Sequence, residues 1–523
     1  MTKKSWIILF VIFCLGLVLR TYQLAKIPGI LNRDETALAY NAWSLQQTGL
    51  DEWGQKWPLF FQSFGDYKLP GYIWSLVFLF SFLPVNDLVV KIPSLVAGQL
   101  LILVVFAWAK KLKISTFSSL LVALMVAINP IFWFYSRIAF EANLSLFLFT
   151  SGLYFLFFGQ DKKQYLYQLL ALVLILLAVL TYNTPLLLLP FITLLLVILK
   201  GVKKSLIVSF SLLILFLLIM KEMLPLTSQK QAITIFSDET VWRQSIDYRQ
   251  QFTGIWQKIL GNNYFYYLTL MGKNLINSFS FKYLVTSGGS HPWHSLPHWG
   301  HLFPVTYLLG FLGILKQLTL TFDQLTNKKD WRKVTEKLLL LFLLLVSLIP
   351  AVITVDAPHA TRSLLFFVIW VLLAGVGFDY LLKVIQKRLP KLQSLFKILM
   401  VGLLFYSLFF YAQGYFWAYA HQYPDSLNTA LIEKLQQAES KYPDQTIAIV
   451  DSGGYDYILL AWYLKIPPSQ FLSDNVKQLP NSYGFRYGER VGRFHFIAEP
   501  KDLGPDEKVM INGYGDNWQI IER

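Results

Sequence analysis

Long apolar runs separated by lysine and arginine clusters set the first constraint on this chain. A run of about 17–25 apolar residues is enough to cross the hydrocarbon core of a bilayer as a helix. In lipid, only helices and closed barrels satisfy every backbone polar group. Here the runs are rich in Leu, Ile and Phe and lack the alternation of barrel strands. With 55% of its 523 residues hydrophobic, the chain reads as an all-α polytopic membrane protein. The alternative is a soluble helical fold with a very large core, and the number of such runs weighs against it.

The basic clusters order the spans. They fall at Lys3–Lys4, Lys110–Lys113, Lys162–Lys163, Lys200–Lys204, Lys316–Lys337 and Lys383–Lys391. Cytoplasmic loops carry the excess of Lys and Arg. Placing every cluster inside gives eleven spans, near 5–22, 88–109, 115–134, 142–159, 165–181, 185–200, 205–221, 303–320, 338–354, 363–383 and 394–412. The N-terminus is then cytoplasmic and the C-terminus external. On this reading the net charge of +15 belongs to cytoplasmic loops, and no nucleic-acid partner is expected. The segment Pro70–Pro84 is short and bounded by prolines, and crossing there would turn every later cluster outward. It is expected to be an interfacial or re-entrant helix. Residues 1–22 read as an uncleaved anchor, because no small-x-small cleavage site follows them. The single cysteine, Cys14, lies in that run and implies no disulfide framework.

Two regions depart from the apolar pattern. External loops are expected at 23–87 and 222–302. The tail changes composition: TIAIVDSGGYDYILLAWYL suggests a buried strand, a glycine turn and a helix, and RVGRFHFIAEP suggests a strand. The expected organisation is a transmembrane domain over 1–420 and a small external α/β domain over 421–523. No nucleotide-binding motif is present in the sequence, which argues against an ATP-driven pump.

Ionisable residues gather at the external boundaries. Asp34 and Glu35 open the helix-like stretch DETALAYNAWSL. Acidic residues are favoured at a helix start by its dipole, so an N-capping pair is one reading. A general base at the membrane surface is the other. In GDYKLPGY, Asp66 and Lys68 precede the short apolar segment. Lys68 fits a lipid phosphate, or equally a snorkelling lysine. In FYSRIAFEANL, Arg137 and Glu141 are four apart and share a face if the stretch is helical. In DAPHATRSL, His359 and Arg362 suit an anionic phosphate or an interfacial anchor. The run HPWHSLPHWGH has four histidines, but Pro292 and Pro297 break it and no Cys or carboxylate is close by. No metal site is assigned there.

Taken together, these motifs resemble those of the GT-C membrane glycosyltransferases over roughly residues 5–365. RDETALAYNA is similar to a first-loop Asp-Glu motif followed by a tyrosine. GDYKLPGY is similar to an acidic–Lys–Pro segment. KIPSL, then KKLK, then SRIAFEANL resemble a basic–Pro–Ser stretch followed by Ser-Arg plus an acidic residue. The nearest group is the dolichyl-phosphate-mannose protein mannosyltransferases (family 39-like) with their bacterial relatives, the lipid A aminoarabinose transferases. The resemblance implies transfer of a sugar from a polyprenyl-phosphate donor to an acceptor outside the cytoplasm. It implies Asp34 as catalytic base with Glu35 supporting it. Asp66, Lys68, Arg137, Glu141, His359 and Arg362 follow as substrate and phosphate contacts, Arg362 by the loosest match. It also implies metal independence and no cofactor. Glu141 stands where many relatives carry Asp, and the tail lacks the lumenal domain of the eukaryotic enzymes, so the acceptor is left open among glycan, lipid and protein.

The residues fit this chemistry without the resemblance. Inverting transfer needs a base and a stabilised leaving phosphate, and a carboxylate among basic residues offers both. Retention needs a second carboxylate about 5 Å away, for which Asp66 and Glu141 are candidates. A transporter or flippase of lipid-linked glycans is the alternative, with a ligase as a third reading. Transport predicts interrupted helices in matching halves and midplane charges, whereas the charges here lie at the boundaries.

Overall fold

The computed structural model describes residues 2–64, 66–159, 164–230, 233–289, 293–326, 331–419, 429–479, 485, 487–515 and 517–522, with backbone alone for 204, 225–230, 323–326 and 331–337. In chain order the first helices are α1 (Lys3–Thr21), α2 (Arg33–Thr48), α3 (Pro70–Phe80), α4 (Asp87–Lys111), α5 (Thr116–Ile128), α6 (Pro130–Ser136) and α7 (Glu141–Phe158). Each of the eleven expected spans is helical. Among the described residues seven helices are long and apolar enough to cross a membrane, and α5–α6 would make an eighth as one bent span. Gln164–Val179, Thr184–Lys200 and Leu338–Val352 are apolar but shorter. So is α3, whose 11 residues reach only about 16 Å.

Two compact units emerge. One comprises Met1–Tyr22, Ser94–Ser136 and Glu141–Gly414; the other comprises Gln23–Pro93, Arg137–Phe140 and Tyr415–Arg523. The early loop thus belongs to the same unit as the tail.

In the first unit, α5 and α6 meet at 48°. Pro130 causes the bend. It disfavours a helical residue before it, and Asn129 is extended (φ −65°, ψ 142°). Pro130 also has no N–H for the carbonyl of Val126. Arg20 of α1 takes up the freed carbonyls, donating to Ala127 O at 3.2 Å and Val126 O at 3.4 Å. The Asn129 amide donates to Met125 O at 2.8 Å, and its oxygen accepts from Phe303 N–H at 2.7 Å. The expected long loop 222–302 is largely helical, with helices Glu239–Gln250, Gly254–Ile259 and Asn263–Ser278. Asp238 and Asn262 cap two of them, which a reading by apolar runs overlooks.

The second unit carries two sheets. β1 (Phe61–Ser63) and β2 (Asp66–Lys68) form an antiparallel pair with Phe61 opposite Lys68. β3 (Ile447–Val450), β4 (Asn475–Lys477), β5 (Gly488–Val491), β6 (Phe494–Ile497), β7 (Val509–Asn512) and β8 (Gln519–Glu522) form a mixed sheet in the order β4-β5-β6-β3-β7-β8. β3 lies centrally, parallel to β6 and β7. The strand–turn–helix reading of 446–464 holds, with helix Asp456–Tyr463 after the glycine turn. RVGRFHFIAEP is a hairpin rather than one strand, because Gly492 (φ +55°) turns the chain between β5 and β6. Tyr40 of α2 packs edge-on to Phe471 at 5.0 Å, and its hydroxyl donates to Ile466 O at 2.8 Å.

Close helix packing in the first unit relies on glycine. A Cβ on Gly313 of Pro304–Thr326 would lie 1.9 Å from Leu373 O, and one on Gly377 of Leu364–Arg388 would lie 2.2 Å from Leu309 O. These are backbone atoms and cannot swing aside. Small residues of this kind let membrane helices approach closely. Gly402 has nothing within 4 Å of its Cβ position. Gly313→Ala is expected to cost roughly 1–3 kcal/mol by overpacking, while Gly402→Ala is neutral or slightly stabilising. Thermal unfolding of the two purified variants beside wild type checks this; equal melting temperatures would contradict the packing assignment.

Candidate active site

The start of α2 organises the candidate site. Asn32 is its N-cap, and the Asn32 side-chain oxygen accepts from Asp34 N–H at 2.9 Å and Glu35 N–H at 3.0 Å. Glu35 returns the contact, its Oε2 accepting from Asn32 N–H at 3.0 Å. This is a capping box, and it leaves consecutive carboxylates with opposite fates. Glu35 is buried and its Oε1 accepts from Ala139 N–H at 2.6 Å. Asp34 is 35% exposed and lies 3.6 Å from Lys68 Nζ. Burial pushes the Glu35 carboxyl up, and the positive charge of Lys91 pulls against it.

The chain leading into α2 is clamped at three backbone groups. Arg137, fully buried, donates to Ile27 O at 2.8 Å and to the Tyr415 hydroxyl at 3.0 Å. Lys91 Nζ, also fully buried, donates to Gly29 O at 2.9 Å. Leu31 N–H donates to the Tyr463 hydroxyl at 2.7 Å, which donates to Asp87 at 3.1 Å. Trp462 Nε1 donates to the other Asp87 oxygen at 2.8 Å. Asn32, Asp87 and Tyr463 were not singled out from sequence, and Lys91 entered only as the basic residue of KIPSL. Asn32 could have been, because Asn-x-x-Glu ahead of an apolar helix is a capping-box signature.

The expected residues therefore separate. Asp34 and Lys68 come together, with Asp66 two residues before Lys68 on β2, half-buried, its Oδ1 accepting from Tyr67 N–H at 2.6 Å. Asp66 and Lys68 share a face of the strand. The shared helical face expected of Arg137 and Glu141 does not exist, because residues 137–140 form a turn between α6 and α7. Arg137 turns to Ile27 and Tyr415, and Glu141 is buried as the first residue of α7. His359 and Arg362 converge on Asp356, which receives Arg362 at hydrogen-bond range and His359 Nε2 at 3.6 Å. Burial alone would raise the Asp356 carboxyl, but the charges of Arg362 and His359 with hydrogen bonds from Arg362 and Thr354 bring it below its usual range. His359 stands edge-on to His294 at 5.0 Å. His291 of the histidine run lies outside the described residues. Among the described residues no three His, Cys, Asp or Glu side chains are grouped to hold a metal ion.

A second buried carboxyl supports α2 from the loop after it. Glu52 accepts from Asn41 Nδ2 at 2.9 Å and the Tyr457 hydroxyl at 3.2 Å, and its own N–H donates to Asn41 Oδ1 at 3.0 Å. Burial pushes its pKa up to about 8, with the charge of Asp51 adding to the rise and the Asn41 hydrogen bond opposing it.

No protein-family model matches the chain, and no curated protein matches it in sequence. Solved structures do. The Archaeoglobus fulgidus oligosaccharyltransferase in the apo form matches with TM-score 0.52 and 13% identity, over 88% of this chain and 64% of that one. The archaeal oligosaccharyltransferase AglB from Archaeoglobus fulgidus, in complex with an inhibitory peptide and a dolichol-phosphate, matches with TM-score 0.51 and 12% identity over the same shares. ArnT from Cupriavidus metallidurans bound to undecaprenyl phosphate matches at 0.47 and 13%, over 89% of this chain and 86% of that one. The chain thus spans 64% of the length of the oligosaccharyltransferase. The likeness is one of fold: this chain has the GT-C fold and is a multi-pass membrane protein with a small C-terminal α/β domain.

Glu52 makes stability depend on pH. In the folded chain it keeps its proton up to about pH 8, against a reference value of 4.5. Between those values the folded state binds the extra proton, so stability from this group is full below the lower value and is lost as pH rises through the upper one. Glu52→Gln removes the titration while keeping the shape. Melting temperatures across that window are expected to fall with rising pH more steeply in wild type than in the variant. Parallel slopes would mean that Glu52 does not titrate there.

Proposed function

We propose that this protein is an integral membrane glycosyltransferase. It takes a sugar from a polyprenyl-phosphate carrier and passes it to an acceptor on the external face of the membrane. The observation that carries this reading is the Asp34–Lys68 pair, a half-exposed carboxylate 3.6 Å from an ammonium group at a rigidly clamped helix start. The fold match to an oligosaccharyltransferase solved with a dolichol-phosphate supports the donor class.

In this mechanism Asp34 accepts the proton of the acceptor hydroxyl or amine. The freed lone pair attacks the anomeric carbon as the bond from that carbon to the phosphate oxygen breaks. The electron pair leaves with the polyprenyl phosphate, and Lys68 stabilises the added negative charge. Asp34 can exchange partners from Lys68 to the acceptor because neither is deeply buried. Glu35 is a positioning residue, since both of its oxygens are engaged by backbone N–H groups. Arg137 and Lys91 hold the backbone ahead of α2 in place. The polyprenyl chain takes a groove between apolar spans, and the basic clusters orient the active site outward.

Asp34→Asn is expected to lower transfer by about 10²–10⁴-fold while the protein stays folded and inserted. Lys68→Ala is expected to weaken apparent donor affinity and to lower turnover as well, because the charge it stabilises grows as the phosphate leaves. Incubation of wild type and variants with a panel of radiolabelled polyprenyl-phosphate sugars, scored by release of polyprenyl phosphate, tests both. Near-normal turnover in Asp34→Asn would remove Asp34 as the base. Failure of wild type to bind any carrier would overturn the transferase reading.

A further inference from the structure

The first unit holds a cavity of ≈660 Å³ that no step above uses. It opens where several helices end. Lys111 is the last residue of α4, Phe158 the last of α7 and Lys200 the last of Thr184–Lys200, and all three line it. Lys113, Lys316 and Lys383 line it as well, with Asp379 as the lone carboxylate among the lining residues. Among the described lining residues, lysines outnumber aspartate by five to one.

Lysines at helix ends have an ordinary explanation: they meet the carbonyls and the negative end of the helix dipole. Lys200 does this, donating to Leu156 O at 2.7 Å. That account does not reach Lys316 and Lys383, which lie inside their helices and still face the same cavity. The one acid is already committed. Asp379 pairs with Lys383 at 2.7 Å and accepts from Ser115 N–H at 2.8 Å and the Ser118 hydroxyl at 2.9 Å. Lys316 lies over the Tyr380 ring at 4.9 Å, while Lys111 and Lys113 are exposed. Most of the remaining wall is apolar, including Phe157, Phe158, Leu199 and Leu339, with Gln317 as a polar member.

Like charges gathered on a concave, partly apolar surface repel one another, and an anion relieves that repulsion. The size falls within the range of small-molecule sites and leaves room beyond a phosphate for attached groups. Lysine binds phosphate as a point charge. We propose that this cavity is a phosphate-ester site, its lysines holding the anion and its apolar wall the adjoining carbon groups. An anionic lipid headgroup and a soluble phosphate share that chemistry.

The test uses the purified full-length chain in nanodiscs of phosphatidylcholine alone or mixed equally with phosphatidylglycerol. Native mass spectrometry counts the phosphatidylglycerol retained after transfer to detergent. A parallel calorimetric titration adds inorganic pyrophosphate in phosphatidylcholine alone. The double variant Lys111→Gln, Lys113→Gln and the single variant Lys316→Gln are compared with Lys387→Gln, which lies outside the cavity. Retention of phosphatidylglycerol by wild type that falls at least about tenfold in both cavity variants, but not in Lys387→Gln, supports a lipid-headgroup site. Pyrophosphate binding lost in the same variants, without lipid retention, supports the site with a soluble ligand. Binding of neither probe, or equal binding in all variants at unchanged melting temperature, overturns the proposal.

Discussion

The buried carboxylate of Glu35 is the interaction on which the second unit turns. One oxygen closes the capping box at the start of α2 and the other holds the backbone of Ala139. A buried carboxylate is costly unless both oxygens are engaged, and here they are engaged by groups far apart in sequence. The same charge sits near Lys91, which in turn holds Gly29. Removing Glu35 leaves two buried N–H groups without an acceptor, at about 1–3 kcal/mol each. The loop after α1 and the turn before α7 meet through this side chain and through Arg137, which donates to Ile27 O.

That arrangement explains how two adjacent acids come to do different work. Successive helical residues point about 100° apart. At a helix start backed by packed side chains, one of two neighbours faces inward and the next faces out. The inward one is consumed by structure. The outward one, Asp34, keeps its carboxylate available while its backbone N–H stays fixed by Asn32. The fixed position of Asp34 thus comes from its neighbour and its cap, as the role proposed for it requires.

Much of the helical layout was legible, because apolar run length is a local signal and every expected span falls on helix, although among the described residues only seven or eight helices are long and apolar enough to cross a membrane. The Asn32–Glu35 box was equally local. What could not be read was anything set by distant pairs. Leu31 meets Tyr463 across 432 residues, and Arg137 meets Tyr415 across 278. Lys91 was legible only as the basic residue of KIPSL, and its partner, Gly29 O, lies 62 residues away. The helix break at 137–140 has no proline or glycine to announce it, since SRIAFE carries helical residues throughout. The tertiary demands on Arg137 and Ala139 override that propensity.

The polar groups of the second unit show the same economy. Glu52 and Glu35 are both buried carboxyls, yet their partners differ in kind. Glu35 accepts from two backbone N–H groups and has Lys91 near it, and these oppose the rise that burial gives its carboxyl. Glu52 is pushed up to about 8 by burial, with Asp51 adding to the rise and the hydrogen bonds from Asn41 and Tyr457 opposing it. Lys91 offsets part of the cost of burying the first. The second adds no charge to that neighbourhood near neutral pH. A loop that gathers this many acids can still accommodate a phosphate beside Lys68 only if most of those acids are paired or protonated. Asp34, half-exposed and 3.6 Å from Lys68, is on that ground the acid proposed as base, rather than the more deeply buried Glu35 or Glu52.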